Sequence, residues 1–572
     1  MSDLQNLASR RIAVKEQPLR ALCIGAALWF ALVPAAAAQT SAHLPQAAIA
    51  AAHPLAVAAG HEILKRGGNA FDAAVAVAAA LAVVEPYASG LGGGGLWLLH
   101  RAADGHQVMV DARETAPARV KPELYIDSSG KPIRGATTQG GTAAAIPGAP
   151  AALVHVAGRY GALPLSTSLA PAVRHARNGF PVDERYARLA GSRERLLRQN
   201  PDASRVFLDG DRAPRAGWLL RQPELAETLE RLARDGNGGF YGGQVARALV
   251  DAVNRAGGVW QLSDLAGYHV IERAPLRFQY RSASITTAAL PSAGGIAVAQ
   301  SLQMLERFET NDARSPREAH LVIEALRRAF RDRATYLGDA DFVAVPVERL
   351  TSRAYAREQA ANIDPRTATR SDMPEREPGA AGSANTTHLS VVDAAGNRVA
   401  ATLTINLVFG SGIVARGTGV LLNNEIDDFT VQTGVSNAFG LRGGEANAIA
   451  PGKRPLSSMT PTFVEDAKGV LVVGTPGGSR IVSQVLLAVL DYVHAPAVDL
   501  PAIVRAPRYH HQWWPDRVEV EPEGFTAQWR AALEAKRHKL ETARRRWGNM
   551  QAVFKSKRDG VAAAASDPRG DE

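Results

Sequence analysis

One run of alanine and valine limits the folds that this chain can adopt. Residues 69–84 read NAFDAAVAVAAALAVV, and nearly every position from 73 to 84 is alanine or valine. Asn69 can cap a helix here, with Asp72 in its first turn. A helix that is apolar all round has no face for solvent, so we expect it to be buried on most sides. With 572 residues, the chain is long enough to enclose such a helix in one large domain.

The chain changes from helical to strand character near residue 386. Between 150 and 340 the pattern is mostly helical, most clearly over 317–339. Residues 365–384 are rich in Pro, Gly, Ser and charged residues, which predicts a flexible exposed segment. The run HLSVVDAAGNRVAATLTI, which starts at His388, then predicts two strands joined by a turn. Mobility before a bond and a rigid strand after it are what self-cleavage requires.

Two adjacent threonines, Thr386 and Thr387, stand at this junction. Threonine is β-branched and suits the start of a strand, so the pair can be purely structural. Alternatively, cleavage after Asn385 would give Thr386 a free α-amino group with an unperturbed pKa of about 8. That amine would lie on the same residue as the hydroxyl it has to activate, a recognised variant of the Ser-His-Asp arrangement. The junction alone leaves both interpretations open.

Residues 1–38 predict an export signal. Basic residues precede an apolar run from 21 to 33, and three alanines at 36–38 offer a cleavage site. The run is shorter than the roughly 20 residues that span a bilayer. We therefore expect a periplasmic or secreted protein with no membrane span in its mature form. The stretch SRRIAVK also resembles a twin-arginine motif, so the export route stays open, as does an uncleaved anchor.

Composition and motif chemistry exclude several kinds of site. The only cysteine, Cys23, lies in the predicted signal, so the mature chain would have no disulfide, thiolate metal site or cysteine nucleophile. The formal net charge of +9 comes from interspersed residues, unlike a nucleic-acid-binding patch. Glycines 92–95 lack the Lys-Ser/Thr of a phosphate loop. His510 and His511 would face opposite sides of a strand, so we expect packing there. We expect no metal, cofactor or nucleic-acid partner.

Ten segments in order, from about residue 45 to the end, resemble the γ-glutamyltransferase family. They read ILKRGGNAFDAAVA, GLGGGG, DARETAP, PSAGG, TTHLSVVD, FGSGIV, LLNNEIDDF, GKRPLSSMTP, GTPGGSR and APRYHHQWWPD. The resemblance implies the α+β fold of an N-terminal-nucleophile hydrolase, a four-layer αββα sandwich, matured by autocatalytic cleavage. It implies a large subunit over 39–385 and a small catalytic subunit over 386–572, together forming one domain.

The same resemblance implies the catalytic residues. Thr386 would be the nucleophile of both processing and catalysis, and Thr404 the threonine that hydrogen-bonds it. Asn385 would end the large subunit. The backbone N–H groups of Gly477 and Gly478 would bind the oxyanion, where glycine lets the backbone come close.

A γ-glutamyl donor carries an α-carboxylate and an α-ammonium group at one end. Arg113 supplies a planar fork suited to the carboxylate. The resemblance adds hydroxyl partners for that carboxylate, Ser457 and Ser458. It also implies acceptors for the ammonium group, namely Asn406, Glu425 and Asp428.

Two further positions are expected to support the site. His388 would share a strand face with Thr386, and we expect it to be structural because the terminal amine already serves as the base. Phe439 falls in a segment, 429–443, that resembles a lid. Certain relatives have tyrosine there, so the aromatic wall would be kept and its hydroxyl lost.

These residues predict transfer of the γ-glutamyl group of glutathione to an amino acid, a peptide or water, through a γ-glutamyl-Thr386 intermediate. One alternative is an acylase of the same family that acts on cephalosporin or other glutaryl-like amides. Glutaryl groups lack the α-ammonium, so Glu425 and Asp428 argue against it. A second alternative is an inactive periplasmic binding relative, whose chain would stay uncut.

Overall fold

The structure is a computed structural model that describes residues 46–371 and 385–570. The predicted signal with Cys23, the boundary at 38 and residues 372–384 lie outside the described residues. No helix within the described ranges is long and apolar enough to cross a membrane.

The strands of the described chain are short to medium in length. They are β1 (Ala48–Ala51), β2 (Gly94–Arg101), β3 (His106–Ala112), β4 (Phe180–Pro181), β5 (Leu219–Leu220), β6 (Ile271–Arg273), β7 (Leu276–Tyr280), β8 (Ala283–Thr287), β9 (Thr387–Val392), β10 (Arg398–Thr404), β11 (Val414–Ala415), β12 (Val420–Leu421), β13 (Thr462–Glu465), β14 (Gly469–Gly474), β15 (Tyr509–His510), β16 (Val518–Val520), β17 (Leu540–Thr542), β18 (Gln551–Ser556) and β19 (Ala562–Ser566).

Helices fill most of the chain between β3 and β9 and flank the later strands. They are α1 (Pro54–Lys65), α2 (Ala70–Val84), α3 (Ala149–Tyr160), α4 (Leu165–Asn178), α5 (Glu184–Leu197), α6 (Pro201–Phe207), α7 (Pro223–Asp235), α8 (Gly238–Tyr241), α9 (Gly243–Arg255), α10 (Leu262–Ala266), α11 (Gly294–Leu305), α12 (Pro316–Tyr336), α13 (Val347–Leu350), α14 (Arg353–Ala361), α15 (Arg480–His494), α16 (Leu500–Arg505) and α17 (Ala527–Ala535).

Two six-stranded antiparallel sheets form the centre of the fold. Sheet I has the order β1-β9-β10-β2-β3-β6, and sheet II has the order β19-β18-β14-β13-β8-β7. Val392 and Ala400 of sheet I share an apolar cluster with Phe463 and Val472 of sheet II, so the sheets pack face to face. Helix α2 packs on β9 and β10, while α11 and α15 pack on sheet II. The expected four-layer αββα sandwich is therefore confirmed.

The apolar helix expected from the sequence is α2, and every one of its residues is buried. The Asn69 side-chain oxygen accepts from the N–H groups of Phe71 and Asp72, and the Asp72 carboxylate accepts from Asn69 N–H. This capping box satisfies donors that the first turn leaves free. The Asp72 carboxylate also accepts from Ala162 and Leu163 N–H. It therefore joins the start of α2 to the chain that follows α3.

The predicted hairpin after Thr386 consists of β9 and β10, with Thr387 opposite Leu403. Alternating apolar and polar residues are typical of a strand with one solvent face. Both strands are nevertheless buried along their whole length. The reason is their place inside sheet I, where α2 covers one face and sheet II the other.

The glycines at 93–95 allow the start of β2 to approach its neighbour β10 closely. A Cβ atom at Gly93 would lie 2.0 Å from the Thr404 carbonyl oxygen, and one at Gly95 would lie 2.4 Å from the Thr402 carbonyl oxygen. No side chain fits there unless β10 moves. The absence of side chains at these glycines therefore allows the close packing of β10, the strand that carries Thr404.

The segment predicted to be exposed from residue 365 is anchored as far as Ser371. Ser371 Oγ donates to the Trp513 carbonyl at 2.6 Å, and its N–H donates to Asp516 at 2.9 Å. The N–H and hydroxyl groups of Thr369 both donate to the Glu324 carboxylate. The predicted exposure holds for residues 365, 366, 369 and 370. Composition did not reveal the hydrogen bonds of Thr369 and Ser371, because their partners are distant in sequence.

Candidate active site

Residues that are far apart in the sequence line one small cavity. Every predicted catalytic or substrate-binding residue except Gly477 is among them. The predicted residues that line it are Arg113, Thr386, Thr404, Asn406, Glu425, Asp428, Ser457, Ser458 and Gly478. Phe439, the predicted lid residue, also lines the cavity.

Hairpin geometry brings the two key threonines together. Thr386 directly precedes β9 and Thr404 ends β10, and their hydroxyl oxygens lie 3.2 Å apart. Thr404 Oγ1 also lies 3.3 Å from the Asn385 carbonyl oxygen and accepts from Asn406 N–H at 2.8 Å. When Thr404 donates to that carbonyl, the Thr386 hydroxyl has to donate to Thr404. The arrangement links the candidate nucleophile to the carbonyl of the bond that self-cleavage would break.

Asn385 and Asn406 fix the chain on either side of these threonines. Asn385 Nδ2 donates to the Tyr87 carbonyl at 3.0 Å, and Asn385 N–H donates to the Asn406 carbonyl at 3.4 Å. Asn406 has φ of +74°, a conformation that asparagine tolerates better than most residues. Its side chain donates to the Asn424 carbonyl at 2.8 Å. The turn after β10 thus ties the Asn385 backbone to the segment that precedes Glu425.

A buried charge cluster, formed by Arg113, Glu114, Glu425 and the partly buried Asp428, makes one wall of the site. The Arg113 guanidinium donates to all three carboxylates, at 3.3 Å to Glu114. Its Nε donates to the Pro455 carbonyl at 3.2 Å. The predicted carboxylate fork is therefore occupied, in this structure, by the two residues predicted to accept the ammonium group.

Three carboxylates surround one cation in this cluster, which affects their protonation. Burial raises the pKa of Glu114 to about 7, and it raises the pKa of Glu425 well above its usual range. Desolvation disfavours the charged form of a carboxyl, and neighbouring carboxylates add to that effect. The cluster can therefore hold a proton near neutral pH and release it when a further cation enters.

The segment carrying Ser457 and Ser458 is fixed next to the charge cluster. Ser457 N–H donates to the Pro291 carbonyl at 2.8 Å, and its Oγ accepts from Met459 N–H at 3.0 Å. Pro455 in the same segment accepts from Arg113. The two serines and the guanidinium are thus held by one short stretch of chain.

The glycine pair lies at the N-terminus of α15. Gly477 has φ of +143° and Gly478 has φ of +58°, conformations that favour glycine. A Cβ atom at Gly477 would lie 2.7 Å from Gln484 Nε2. Gly478 and the following Ser479 line the cavity, whereas Gly477 does not. The positive end of the α15 dipole lies beside the candidate nucleophile.

His388 lies outside the cavity lining and is buried. Burial lowers its pKa to about 3, so the ring is neutral at physiological pH. Its Nδ1 lies 2.8 Å from Thr402 Oγ1 and its Nε2 lies 3.2 Å from Ser390 Oγ. Since Ser390 Oγ donates to the Gln551 carbonyl, the ring donates from Nε2 and accepts at Nδ1. Both nitrogens are occupied, in keeping with a structural role.

Several lining residues were not expected from the sequence. They are Leu441, Met459, Ser479 and Ile481, and each lies within three residues of a predicted position. Glu114 was also missed, although it follows Arg113 directly. Proximity to the recognised motifs was the available signal. Among the described residues, no group of three or more potential ligands is arranged to hold a metal ion.

The segment predicted to form a lid is attached to the site through Asp427. This carboxylate accepts from Thr137 Oγ1 at 2.8 Å and from Ala438 N–H at 2.9 Å, next to Phe439. Burial raises the pKa of Asp427 to about 7. The anchor is therefore a group that titrates near neutral pH.

Asp427→Asn should flatten the pH dependence of stability. The pKa of this group is about 7 in the fold, against a usual value of 3.8. Its stabilising contribution is complete below about pH 4 and is lost as the pH rises to about 7. One bound proton changes the free energy of unfolding by about 1.4 kcal/mol per pH unit. Urea unfolding at intervals from pH 4.5 to 8 measures the slope, and an unchanged slope in the variant would contradict the assignment.

Comparison with known proteins assigns the chain to a family. The sequence profile of the gamma-glutamyltranspeptidase family matches residues 56–572. The glutathione hydrolase proenzyme of Escherichia coli is 40% identical over 533 residues, covering 92% of this chain and 90% of the relative. That of Pseudomonas aeruginosa is 41% identical over 556 residues, covering 95% and 97%. An acylase ACY 1 proenzyme from a Pseudomonas species is 36% identical over 533 residues, covering 91% of each.

Solved structures agree with this assignment. The cephalosporin acylase of Bacillus halodurans superposes with a TM-score of 0.81 at 28% identity, covering 92% of this chain and 95% of the other. The gamma-glutamyltranspeptidase of Helicobacter pylori gives a TM-score of 0.54 at 36% identity, covering 55% of this chain and 91% of the other. The chain belongs to the gamma-glutamyltranspeptidase family of enzymes and has the N-terminal-nucleophile hydrolase fold.

Proposed function

We propose that this protein is an exported γ-glutamyl hydrolase and transferase that cleaves itself before Thr386 and then acts on glutathione and related γ-glutamyl compounds. One observation carries the proposal. Thr386 lines the same small cavity as three members of the charge cluster, Arg113, Glu425 and Asp428. One ligand could therefore contact both the nucleophile and the groups that would recognise its charges.

Self-cleavage would begin at the Asn385 carbonyl. Thr386 Oγ attacks the carbonyl carbon, and its proton passes toward Thr404, whose hydroxyl lies 3.2 Å away. The C–N bond then breaks as the departing nitrogen takes up this proton, leaving an ester on Thr386 Oγ and a free α-amino group. Water hydrolyses the ester, and a large subunit ending at Asn385 separates covalently from a small subunit over 386–572.

The freed amine then serves as the base of the catalytic cycle. It takes the proton from Thr386 Oγ as the oxygen attacks the γ-carbonyl carbon of the donor. Backbone N–H groups of Gly477 and Gly478 stabilise the oxyanion. The amine returns the proton to the departing nitrogen, and water or an acceptor amine resolves the γ-glutamyl ester.

The charge cluster accounts for the choice of donor. The α-carboxylate of the donor would bind Arg113, Ser457 and Ser458. Its α-ammonium would bind Asn406, Glu425 and Asp428, replacing contacts that these acids now make with Arg113. A zwitterion brings one charge of each sign, so both halves of the cluster keep a partner while desolvated.

An acylase is the second candidate, favoured by the acylase relatives in both comparisons. A glutaryl group would bring a carboxylate to Arg113 and no cation to Glu425 and Asp428. Glu425 and Asp428 would then lose their cationic partner, and leaving carboxylates unpaired where water is excluded costs binding free energy.

The two candidates separate in one assay with matched leaving groups. We expect kcat/KM for γ-glutamyl-p-nitroanilide to exceed that for glutaryl-p-nitroanilide by at least about 10²-fold, because buried polar groups reject an analogue that lacks their partner. The cleaved protein is assayed at pH 8 with both anilides. A higher value for the glutaryl substrate would identify an acylase, and no turnover of either would contradict both candidates.

A further inference from the structure

Gln512 connects two walls of the cavity without lining it. This residue follows β15 in the segment APRYHHQWWPD. Its side chain contacts Ser479, which follows the predicted oxyanion glycines, and the backbone of Phe439, which also lines the cavity. The function proposed above does not use it.

The orientation of the Gln512 amide follows from its neighbours. Its Nε2 lies 3.2 Å from the Phe439 carbonyl and 3.2 Å from the Trp514 carbonyl. Carbonyl oxygens only accept hydrogen bonds, so the NH₂ group has to face them. The Oε1 atom then faces Ser479 Oγ at 2.6 Å and His510 Nε2 at 2.9 Å. The opposite orientation would place the amide oxygen against two carbonyls.

That orientation fixes two further protons. Ser479 Oγ has to donate its proton to Gln512 Oε1. Toward a ligand in the cavity, this hydroxyl can therefore act only as a hydrogen-bond acceptor. His510 has to donate from Nε2, which leaves Nδ1 to accept from Ser483 Oγ at 2.9 Å. Burial lowers the pKa of His510 to about 4, consistent with this neutral form. Each donor and acceptor in this network is therefore fixed at physiological pH.

The lid has a separate attachment on its other side. Asp427 accepts from Ala438 N–H, and Asn437 Nδ2 donates to Asp428 at 3.2 Å. These contacts hold the lid to the part of the site that would bind the ammonium group. Gln512 holds it to the part that would bind the scissile amide. Loss of Gln512 would remove the side-chain hydrogen bonds that join the lid to Ser479, while the stacking of Arg442 over the Trp514 ring at 4.8 Å would remain.

We propose that Gln512 is a positioning residue that holds the lid at Phe439 and the Gly478–Ser479 loop in one fixed relation. The inference rests on the proposed γ-glutamyl transfer, because it gives the link between the lid and the Gly478–Ser479 loop a role in that reaction. When the charge cluster binds the α-carboxylate and α-ammonium of a donor, this link would position the lid and the loop so that the γ-carbonyl contacts both Thr386 and the loop.

Three variants separate the hydrogen bond to Ser479 from the hydrogen bond to Phe439. Gln512→Ala removes both, and Ser479→Ala removes only the bond to the loop. Gln512→Glu keeps an acceptor for Ser479 and removes the donor to Phe439. Gln432→Ala is the matched control, because this lid glutamine donates to the Gly130 carbonyl at 3.2 Å and does not line the cavity.

We expect Gln512→Ala to lower kcat for γ-glutamyl-p-nitroanilide by about 10-fold to 100-fold, with KM within about threefold, because small misplacements cost rate more than binding. Adding Ser479→Ala to Gln512→Ala should cost little more, since both act through one contact. Amide hydrogen exchange over 436–442 should be faster in Gln512→Ala and Gln512→Glu, and unchanged in Gln432→Ala.

The outcomes are distinguishable. Wild-type kcat and exchange in Gln512→Ala, or equal losses in Gln432→Ala, would overturn the inference. A wild-type protein that is cut but turns over no γ-glutamyl substrate would contradict the proposed function. In that case the exchange rates would still decide whether Gln512 holds the lid.

Discussion

Thr386→Ala should leave the chain uncut and reduce turnover of γ-glutamyl-p-nitroanilide by at least about 10³-fold, the scale at which loss of a nucleophile acts. The variant loses the hydroxyl that would attack the Asn385 carbonyl and, later, the donor. Denaturing electrophoresis and N-terminal sequencing measure the first effect. The wild type should give two bands, the smaller beginning Thr-Thr-His-Leu-Ser.

Two controls distinguish chemistry from structure at this junction. Thr386→Ser keeps a hydroxyl and should still be cut. Thr387→Ser keeps the hydroxyl that donates to the buried Glu85 carboxylate at 2.7 Å and should behave as the wild type. A cut or active Thr386→Ala protein would contradict the proposed nucleophile. A wild-type chain that stays uncut would favour the inactive binding relative.

Local patterns in the sequence predicted the elements that carry the site. The apolar helix α2 and the hairpin β9–β10 follow from composition and alternation within short windows, so both could be predicted. The candidate site residues came from motif resemblance, and the cavity brings nearly all of them together. Resemblance could place them but could not reveal which of them contact one another.

Contacts between distant segments were the part that the sequence did not reveal. Arg113 and Glu425 are 312 positions apart, and no local pattern shows that they form an ion pair. The anchoring of Ser371 by Asp516, 145 positions away, was hidden for the same reason. In both cases tertiary packing decides which partner a charged or polar side chain finds.

Arg113→Gln should lower both the stability of the protein and its binding of donor. The variant leaves Glu114, Glu425 and Asp428 buried without their cation, a loss of about 3–5 kcal/mol in the free energy of unfolding at pH 8. The penalty should shrink toward pH 5.5, because carboxyls with raised pKa values take up protons as the pH falls. Urea unfolding at the two pH values measures both effects.

A second substitution separates stability from binding. Arg113→Gln with Glu425→Gln removes one of the stranded carboxylates, so it should recover part of the stability at pH 8. Binding should not recover, because neither glutamine offers the planar cation that pairs with a carboxylate. We expect KM for γ-glutamyl-p-nitroanilide to stay at least about 10-fold above the wild type in both proteins, the scale of one charged hydrogen bond.

A single variant as stable as the wild type at pH 8 would show that the cluster is already neutralised by protons. A double variant with wild-type KM would remove Arg113 from substrate binding and leave it a purely structural role.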